Sequence, residues 1–266
     1  MKIAVCFKIV PDFEDVHSTE WETQGGLDFT YIKKIYGCFD EAALETGLRI
    51  ADELKAGGKA AETVAITCGA PAGSVSEGLL RALFAAGYND VVLLPAVPEF
   101  VPAAVAENLA EYLKANPADL ILTGRMVGPA DSGMVPVYLA EKLGAEFYPE
   151  LVAAHWNEDY GTVRLTCDEG ECLRTYAPGG KSLCSLGDGE AGYLRLFPLK
   201  ARMEAKKREF TRIESNDADT ADTTSADVIL RTEKIDSSCN FIEHKSAEET
   251  AQILINILKG EVGHEG

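Results

Sequence analysis

The sequence predicts an α/β fold: a parallel sheet covered by helices, followed by a strand-rich region and a C-terminal helical arm. Three observations lead there. Apolar runs of strand length at residues 2–10, 62–67, 90–94 and 119–123 alternate with stretches whose apolar residues recur at helical spacing. Those stretches are closed at Gly57-Gly58, Gly87, Asn116-Pro117 and Gly144, where glycine or proline cannot continue a helix comfortably. Beyond Gly144 the helical spacing gives way to strand-like runs joined by turns.

Each element follows from its own residues. Residues 2–10 are apolar and β-branched and end at Pro11-Asp12. Residues 11–36 are polar and turn-rich, with Gly25-Gly26 and a short hairpin expected around residues 27–32. Leu44, Gly47, Leu48, Ala51 and Leu54 mark the first helix, with Asp40 and Glu41 in its first turn, where carboxylates favour the positive helix end. A strand over 62–67, a turn at Cys68-Gly69-Ala70-Pro71, a helix over 75–86 and a strand over 90–94 come next. A helix over 101–115, a strand over 119–123 and a helix over 133–143 complete the βαβ alternation of a buried parallel sheet. Strands are then expected over 147–155, 162–166, 173–176 and 182–186, and a basic helical stretch over 200–208. Residues 214–227 hold five acids and no base, the composition of an exposed linker. After a short strand at 228–230, Ser246-Ala247-Glu248-Glu249 carries a capping box ahead of the apolar stripe Ile253, Ile257 and Leu258. A helix behind an exposed linker reads as an arm packed on another surface.

Charge excludes whole classes of function. The 266 residues carry 25 Lys+Arg against 43 Asp+Glu, a net charge of −18. Such a surface repels phosphate backbones and anionic lipid, which argues against general nucleic-acid or membrane-surface binding. No apolar run approaches the roughly 20 residues of a membrane span. The opening run, broken by Lys8 and Asp12, is too short for a signal peptide, so the expected location is cytoplasmic. Seven cysteines, with only Cys167 and Cys172 close together, predict reduced structural thiols rather than disulfides or a metal site. The four histidines are scattered and suggest no hydrolase.

Two apparent phosphate motifs fail on context. Gly187-Asp188-Gly189-Glu190-Ala191-Gly192 matches G-x-G-x-x-G, but Pro198 follows where that fingerprint needs a helix. Gly180-Lys181-Ser182 resembles the end of a P-loop whose leading glycine is Thr175 here. The informative loops are those beyond the carboxyl ends of the strands, where such sheets bind ligands: after Pro11, at 37–40, at 68–71 and at 124–133. The last leaves a strand and enters a helix, so its unpaired amides can hold a phosphate with help from the helix dipole. Ser132 can cap that helix or bond a phosphate oxygen, and Asp131 must face a ribose or cap amides itself. The residues alone leave a nucleotide site and a plain connecting loop equally open.

Several separated segments together resemble the β subunit of electron transfer flavoproteins. Val5-Cys6-Phe7-Lys8-Ile9-Val10-Pro11-Asp12 looks like that family's first strand with its V-K-x-V-P-D ending. Phe39-Asp40-Glu41-Ala42-Ala43-Leu44-Glu45 looks like its N-P-x-D-x-x-A-x-E helix start, and Cys68-Gly69-Ala70-Pro71 resembles the turn after its second main strand. Residues 124–144 fit the segment G-R-Q-A-I-D-G-D-T-x-Q-V-G-P-Q-L-A-E-x-L-G, keeping Gly124, Arg125, Asp131, Val135, Leu139, Ala140, Glu141, Leu143 and Gly144. Arg195, Leu199, Met203, Ala205, Lys206 and Lys207 look like the segment after the nucleotide domain. The chain departs from the pattern at Gly37-Cys38 for Asn-Pro, at Gly128-Pro129 for Ile-Asp, and at Met134 and Pro136 for glutamine and glycine. Gly192-Tyr193-Leu194-Arg195 stands for the docking loop's Asn-x-Pro-Arg. The resemblance is therefore to a divergent member.

The resemblance implies a Rossmann-like sheet of the adenine nucleotide alpha hydrolase type. It implies an electron-carrier subunit rather than an enzyme, paired with a larger α subunit that carries the redox FAD. The β chain would itself hold AMP or, in electron-bifurcating members, a second FAD. Carried over, the nucleotide contacts would be Cys6, Gly37, Cys38, Phe39, Asp40, Cys68, Gly124, Arg125, Met126, Val127, Gly128, Asp131, Ser132, Gly133, Met134 and Val135. Leu199 falls where an anchor leucine enters a flavin-dependent acyl-CoA dehydrogenase, with Arg195 beside it; the alternative for Leu199 is an ordinary core leucine. The implied organisation is a nucleotide-binding domain with its strand-rich extension over 1–190. A docking loop and basic helix over 191–213 follow, then an acidic linker and partner-packing arm over 214–266. The basic run Lys200, Arg202, Lys206, Lys207 and Arg208 is either a solvated helix face or a patch that steers an acidic partner. A stand-alone adenine-nucleotide sensor of the universal-stress type shares the βαβ pattern but needs neither the strand-rich half nor the arm. A nucleotide-activating ligase or pyrophosphatase would need a pyrophosphate loop or a carboxylate pair for magnesium, which the sequence does not offer.

Overall fold

A computed structural model describes residues 1–16, 32–69, 76–97, 101–128, 131–214, 241–242 and 246–259. The hairpin expected around 27–32, the acidic linker and the strand at 228–230 lie wholly or almost wholly outside these residues, as do Ala70-Pro71 and Pro129-Ala130. The described elements run β1 (Lys2–Cys6), β2 (Ile9–Pro11), β3 (Lys34–Tyr36), α1 (Cys38–Ala56), β4 (Glu62–Gly69), α2 (Glu77–Ala86), β5 (Asp90–Ala96) and α3 (Pro102–Ala115). They continue as β6 (Leu120–Gly124), α4 (Met134–Leu143), β7 (Glu146–Asn157), β8 (Thr162–Asp168), β9 (Leu173–Tyr176) and β10 (Ser182–Leu186). The last three are α5 (Leu199–Ala205), β11 (Thr211–Arg212) and α6 (Ala247–Leu258).

Nine strands form one sheet in the order β11-β5-β4-β1-β6-β10-β7-β8-β9, parallel from β11 through β7 and antiparallel at β8 and β9. The apolar runs become central strands because both faces are covered, so every residue of a strand must be tolerable in the interior. Alternate side chains of β1 divide between two cores. Ile3 and Val5 pack with Leu44, Leu48, Leu80 and Leu83 of α1 and α2, whereas Ala4 and Cys6 pack with Leu109, Leu113 and Leu139 of α3 and α4. Tyr88, fully buried, donates its hydroxyl to the Leu44 carbonyl at 2.8 Å and so ties the approach to β5 onto α1.

One expectation changes. The run 2–10 is not one strand: it breaks at Phe7-Lys8, and β2 leaves the sheet to pair antiparallel with β3. The break has a cause, because the Lys8 amide is taken by the Asp40 carboxylate at 3.0 Å. The fourth strand of the strand-rich half, β10, forms as expected and inserts parallel between β6 and β7. All five of its residues are buried, so it requires a neighbour on either side. Pro136 lies in the first turn of α4, where its missing N–H breaks no helical bond.

Residues 1–229 make one compact unit and residues 230–266 another. In the second, α6 opens with the expected capping box, Ser246 accepting from the Glu249 amide and Glu249 from the Ser246 amide. Its Leu254, Ile255, Ile257 and Leu258 are exposed. Among the described residues no helix is long and apolar enough to cross a membrane.

Candidate functional site

The chain leaves β1 toward α1 on one face, and after α3 on the other face it returns as β6 on β1's far side. A sheet whose connections diverge in this way opens a crevice beyond the carboxyl ends of the two strands. Asp40, in the first turn of α1, spans that crevice. Its Oδ2 accepts the Lys8 amide and its Oδ1 the Gly124 amide, both at 3.0 Å. Burial pushes the Asp40 carboxyl up to about 7, against the two amide hydrogen bonds that hold it down. Gly124 is required by this contact: a Cβ there would lie 2.5 Å from Asp40 Oδ1 and 2.8 Å from the Asp40 backbone nitrogen. Gly37 is required by the next one, since its Cβ would lie 2.4 Å from Val127 Cγ2. The loop after β6 is thereby folded onto the start of α1.

Arg125 occupies the middle of this rim. Its guanidinium stacks over the Phe39 ring at 4.2 Å and pairs with Glu150 at 2.9 Å and Asp188 at 3.6 Å. Its Nε is buried and has no hydrogen-bond partner. Met126 is exposed, Val127 and Gly128 are half-buried, and Asp131 is exposed with φ at 35°, a left-handed conformation unusual for a residue with a side chain. The N-cap of α4 is Gly133, also left-handed; Ser132 sits one residue earlier and accepts the Met134 amide at 3.4 Å. Val135 packs on the α3–α4 core.

Cys6 ends β1, and Cys68 lies one residue before the end of the neighbouring β4. Burial raises both thiols, Cys68 to about 12, so neither is a thiolate at neutral pH. Asn108 donates to Cys68 Sγ at 3.7 Å and to the Pro95 carbonyl at 3.0 Å. Cys38 is exposed at the first position of α1. The structure thus gathers Gly37, Phe39, Asp40, Gly124, Arg125 and Val127 directly around the crevice. Sequence reasoning missed Glu150, Asp188 and Asn108, whose pairings are long-range and leave no local signal.

The G-x-G-x-x-G stretch has a structural explanation. Gly189 passes so close to β7 that a Cβ would lie 2.2 Å from the Val152 carbonyl oxygen, and Glu190 donates its amide to that oxygen at 2.9 Å. Leu199 is 73% exposed, which excludes the core-leucine alternative. Arg195 is engaged within the chain, against Glu45 and Asp52 of α1. Arg208 is engaged too, stacked on Phe84 at 4.1 Å and donating to the Asn89 carbonyl at 2.6 Å.

The rim fits the phosphate of a nucleotide on two counts. Arg125 offers an unpaired buried donor, and α1 and α4 both start from glycine N-caps without a side-chain cap, leaving first-turn amides open to an anion, at α4 all but that of Met134, which Ser132 accepts. The raised Asp40 carboxyl, part-neutral near pH 7, lessens the repulsion a phosphate would meet. Among the described residues no group of three or more His, Cys, Asp or Glu could hold a metal.

Comparison with known proteins shows the chain's family. The electron transfer flavoprotein domain matches residues 38–218, from the start of α1 past β11. YgcR of Escherichia coli K12, named provisionally as an electron transfer flavoprotein subunit, is 27% identical over 219 residues, covering 80% of this chain and 81% of its own length. The electron transfer flavoprotein subunit beta of Bradyrhizobium diazoefficiens is 31% identical over 144 residues, covering 54% of this chain and 55% of its own.

Proposed function

Because this chain belongs to the electron transfer flavoprotein family, as a β-like member, we propose that it is the β subunit of a heterodimeric carrier. It passes electrons between a flavin-dependent dehydrogenase, such as an acyl-CoA dehydrogenase, and another carrier. The observation that carries this reading is the family match, which spans both the rim and the segment bearing Leu199. The redox chemistry belongs to the flavin. This chain's residues bind and orient: Arg125 and the amides at the starts of α1 and α4 would hold AMP or a second FAD, and Asp40 keeps β1 and β6 in register beneath it. The thiols of Cys6 and Cys68 are buried and protonated, so neither acts as a nucleophile. The exposed Leu196, Leu199 and Met203, flanked by Lys200, Lys206 and Lys207, would meet an apolar cleft with an acidic edge on the dehydrogenase. The apolar stripe of α6 would pack on the α subunit.

The test is co-expression with a cognate α subunit. A stable yellow heterodimer supports the reading. A flavin-free monomer that binds AMP alone would favour the stand-alone sensor instead.

A further inference from the structure

The stretch from Glu190 to Arg195 has no helix or strand of its own, yet it is tied to α1 at successive points. Arg49 Nη1 donates to the Glu190 carbonyl at 3.3 Å, and the Leu194 amide donates to Glu41 Oε1 at 3.2 Å. Arg195 gives Glu45 three hydrogen bonds: its amide and Nε to Oε2 at 3.0 and 3.1 Å, and Nη2 to Oε1 at 3.1 Å. Its Nη1 reaches Asp52 at 2.5 Å. Arg49 Nε supplies a fourth donor to Glu45, at 3.1 Å. A carboxylate has about four acceptor sites, so Glu45, which is only 5% exposed, is saturated. A buried carboxylate so fully paired is a device for fixing geometry, and removing one partner leaves a charge stranded.

Beside this clamp the chain turns apolar side chains to solvent: Tyr193 is 82% exposed and Leu196 99%. Side chains of that size left uncovered next to Leu199 mark a surface that a partner covers. We infer that Glu45 and Arg195 are positioning residues. Paired along α1, they hold Leu196 and Leu199 in a preformed patch, so that docking does not require a mobile loop to be ordered first. Glu41 holds the adjoining amide and plays the lesser part. The inference rests on the docking reading above and assigns Arg195 to the anchor of the patch, not to its contact surface.

The test uses the full-length chain in its αβ complex, with Glu45→Gln as the principal variant. Glu41→Ala serves as a milder one that removes a single hydrogen bond, and Glu41→Gln keeps the acceptor oxygen. Amide hydrogen exchange at Leu194 and Arg195 is expected to quicken about ten-fold or more in Glu45→Gln, with β1 and β6 unchanged. In Glu41→Ala the Leu194 amide alone should quicken, and Glu41→Gln should restore it. With a purified acyl-CoA dehydrogenase as electron donor, KM for the dehydrogenase should rise about five-fold in Glu45→Gln while kcat stays within about two-fold. Leu196→Ala should raise KM similarly, and the double variant should be no worse than either alone. Unchanged exchange at Leu194 and Arg195 overturns the clamp, and faster exchange with an unchanged KM overturns its positioning role. Should the wild-type complex accept no electrons from the dehydrogenase, the docking reading fails, and the clamp is then judged by exchange alone.

Discussion

Replacing Gly124 by alanine probes the joint on which the candidate site depends. The new methyl carbon would stand 2.5 Å from Asp40 Oδ1, 2.8 Å from the Asp40 nitrogen and 3.0 Å from the Phe39 carbonyl carbon. Two of these three atoms are backbone in the first turn of α1, so no rotamer change relieves the clash. Either α1 shifts off β6, or Asp40 turns away and abandons the Gly124 amide. Overpacking costs about 1–3 kcal/mol and a lost hydrogen bond to a charged group about 1.5–3 kcal/mol. Whichever route is taken, the cost is about 1–3 kcal/mol, a sizeable share of the roughly 5–15 kcal/mol that holds a typical domain together. Urea unfolding followed by circular dichroism measures it. Gly179→Ala is the control, because no atom lies within 4 Å of its added carbon. The control should be unchanged or slightly more stable, by up to about 1 kcal/mol. A Gly124→Ala midpoint indistinguishable from that control would mean that Asp40 does not bind α1 to the end of β6.

Three further outcomes are expected. Gly189→Ala, whose carbon would meet the Val152 carbonyl oxygen at 2.2 Å, should destabilise by about 2 kcal/mol or more in the same urea assay; a silent substitution would separate this loop from β7. His155 lies between Glu53 at 2.8 Å and Glu190 at 2.9 Å, opposite Arg164 on β8, with Arg49 on the Glu190 carbonyl. The hydrogen bond to Glu53, aided by that to Glu190 and opposed by partial burial, raises its pKa above the ordinary 6.5. Its contribution to stability is therefore complete below about pH 6.5 and is lost as pH rises through the raised value. The gap in urea midpoint between wild type and His155→Gln should accordingly be wide at pH 6 and narrow at pH 9; a constant gap would contradict the carboxylate pairing. Because Arg208 is engaged internally, steering of an acidic partner falls to the rest of the exposed basic run, Lys206 and Lys207 among it. Reversing both charges should slow electron delivery from the dehydrogenase at low salt and not at high salt, and an unaltered low-salt rate would remove the steering role.

The parallel sheet was legible because each strand is a continuous apolar run and each helix ends on glycine or Asn-Pro, both local signals. The register of β10 was not, because five buried residues say that a strand has two neighbours without saying which two. The rim shows the same division. Gly124, Arg125 and Asp40 could be named from a loop that leaves a strand and from a helix start. That Asp40 reaches back to Lys8 and forward to Gly124 depends on residues distant in sequence brought together only by the fold. The break of the first apolar run at Phe7-Lys8 follows from that same long-range contact, so a strand reading taken from the run alone had to overshoot. Glu45 was legible as a member of a helix start and illegible as the acceptor for Arg195, for the same reason.

The most direct measurement is chemical. Denaturing the purified αβ complex and quantifying the released adenine compounds by chromatography and mass spectrometry counts what the rim holds. The result expected is one adenine nucleotide per β chain beyond the α subunit's FAD: AMP in a simple carrier, a second FAD in a bifurcating one. A complex that releases a single FAD and no other adenine compound would contradict the nucleotide-holding role of the Asp40–Arg125 rim.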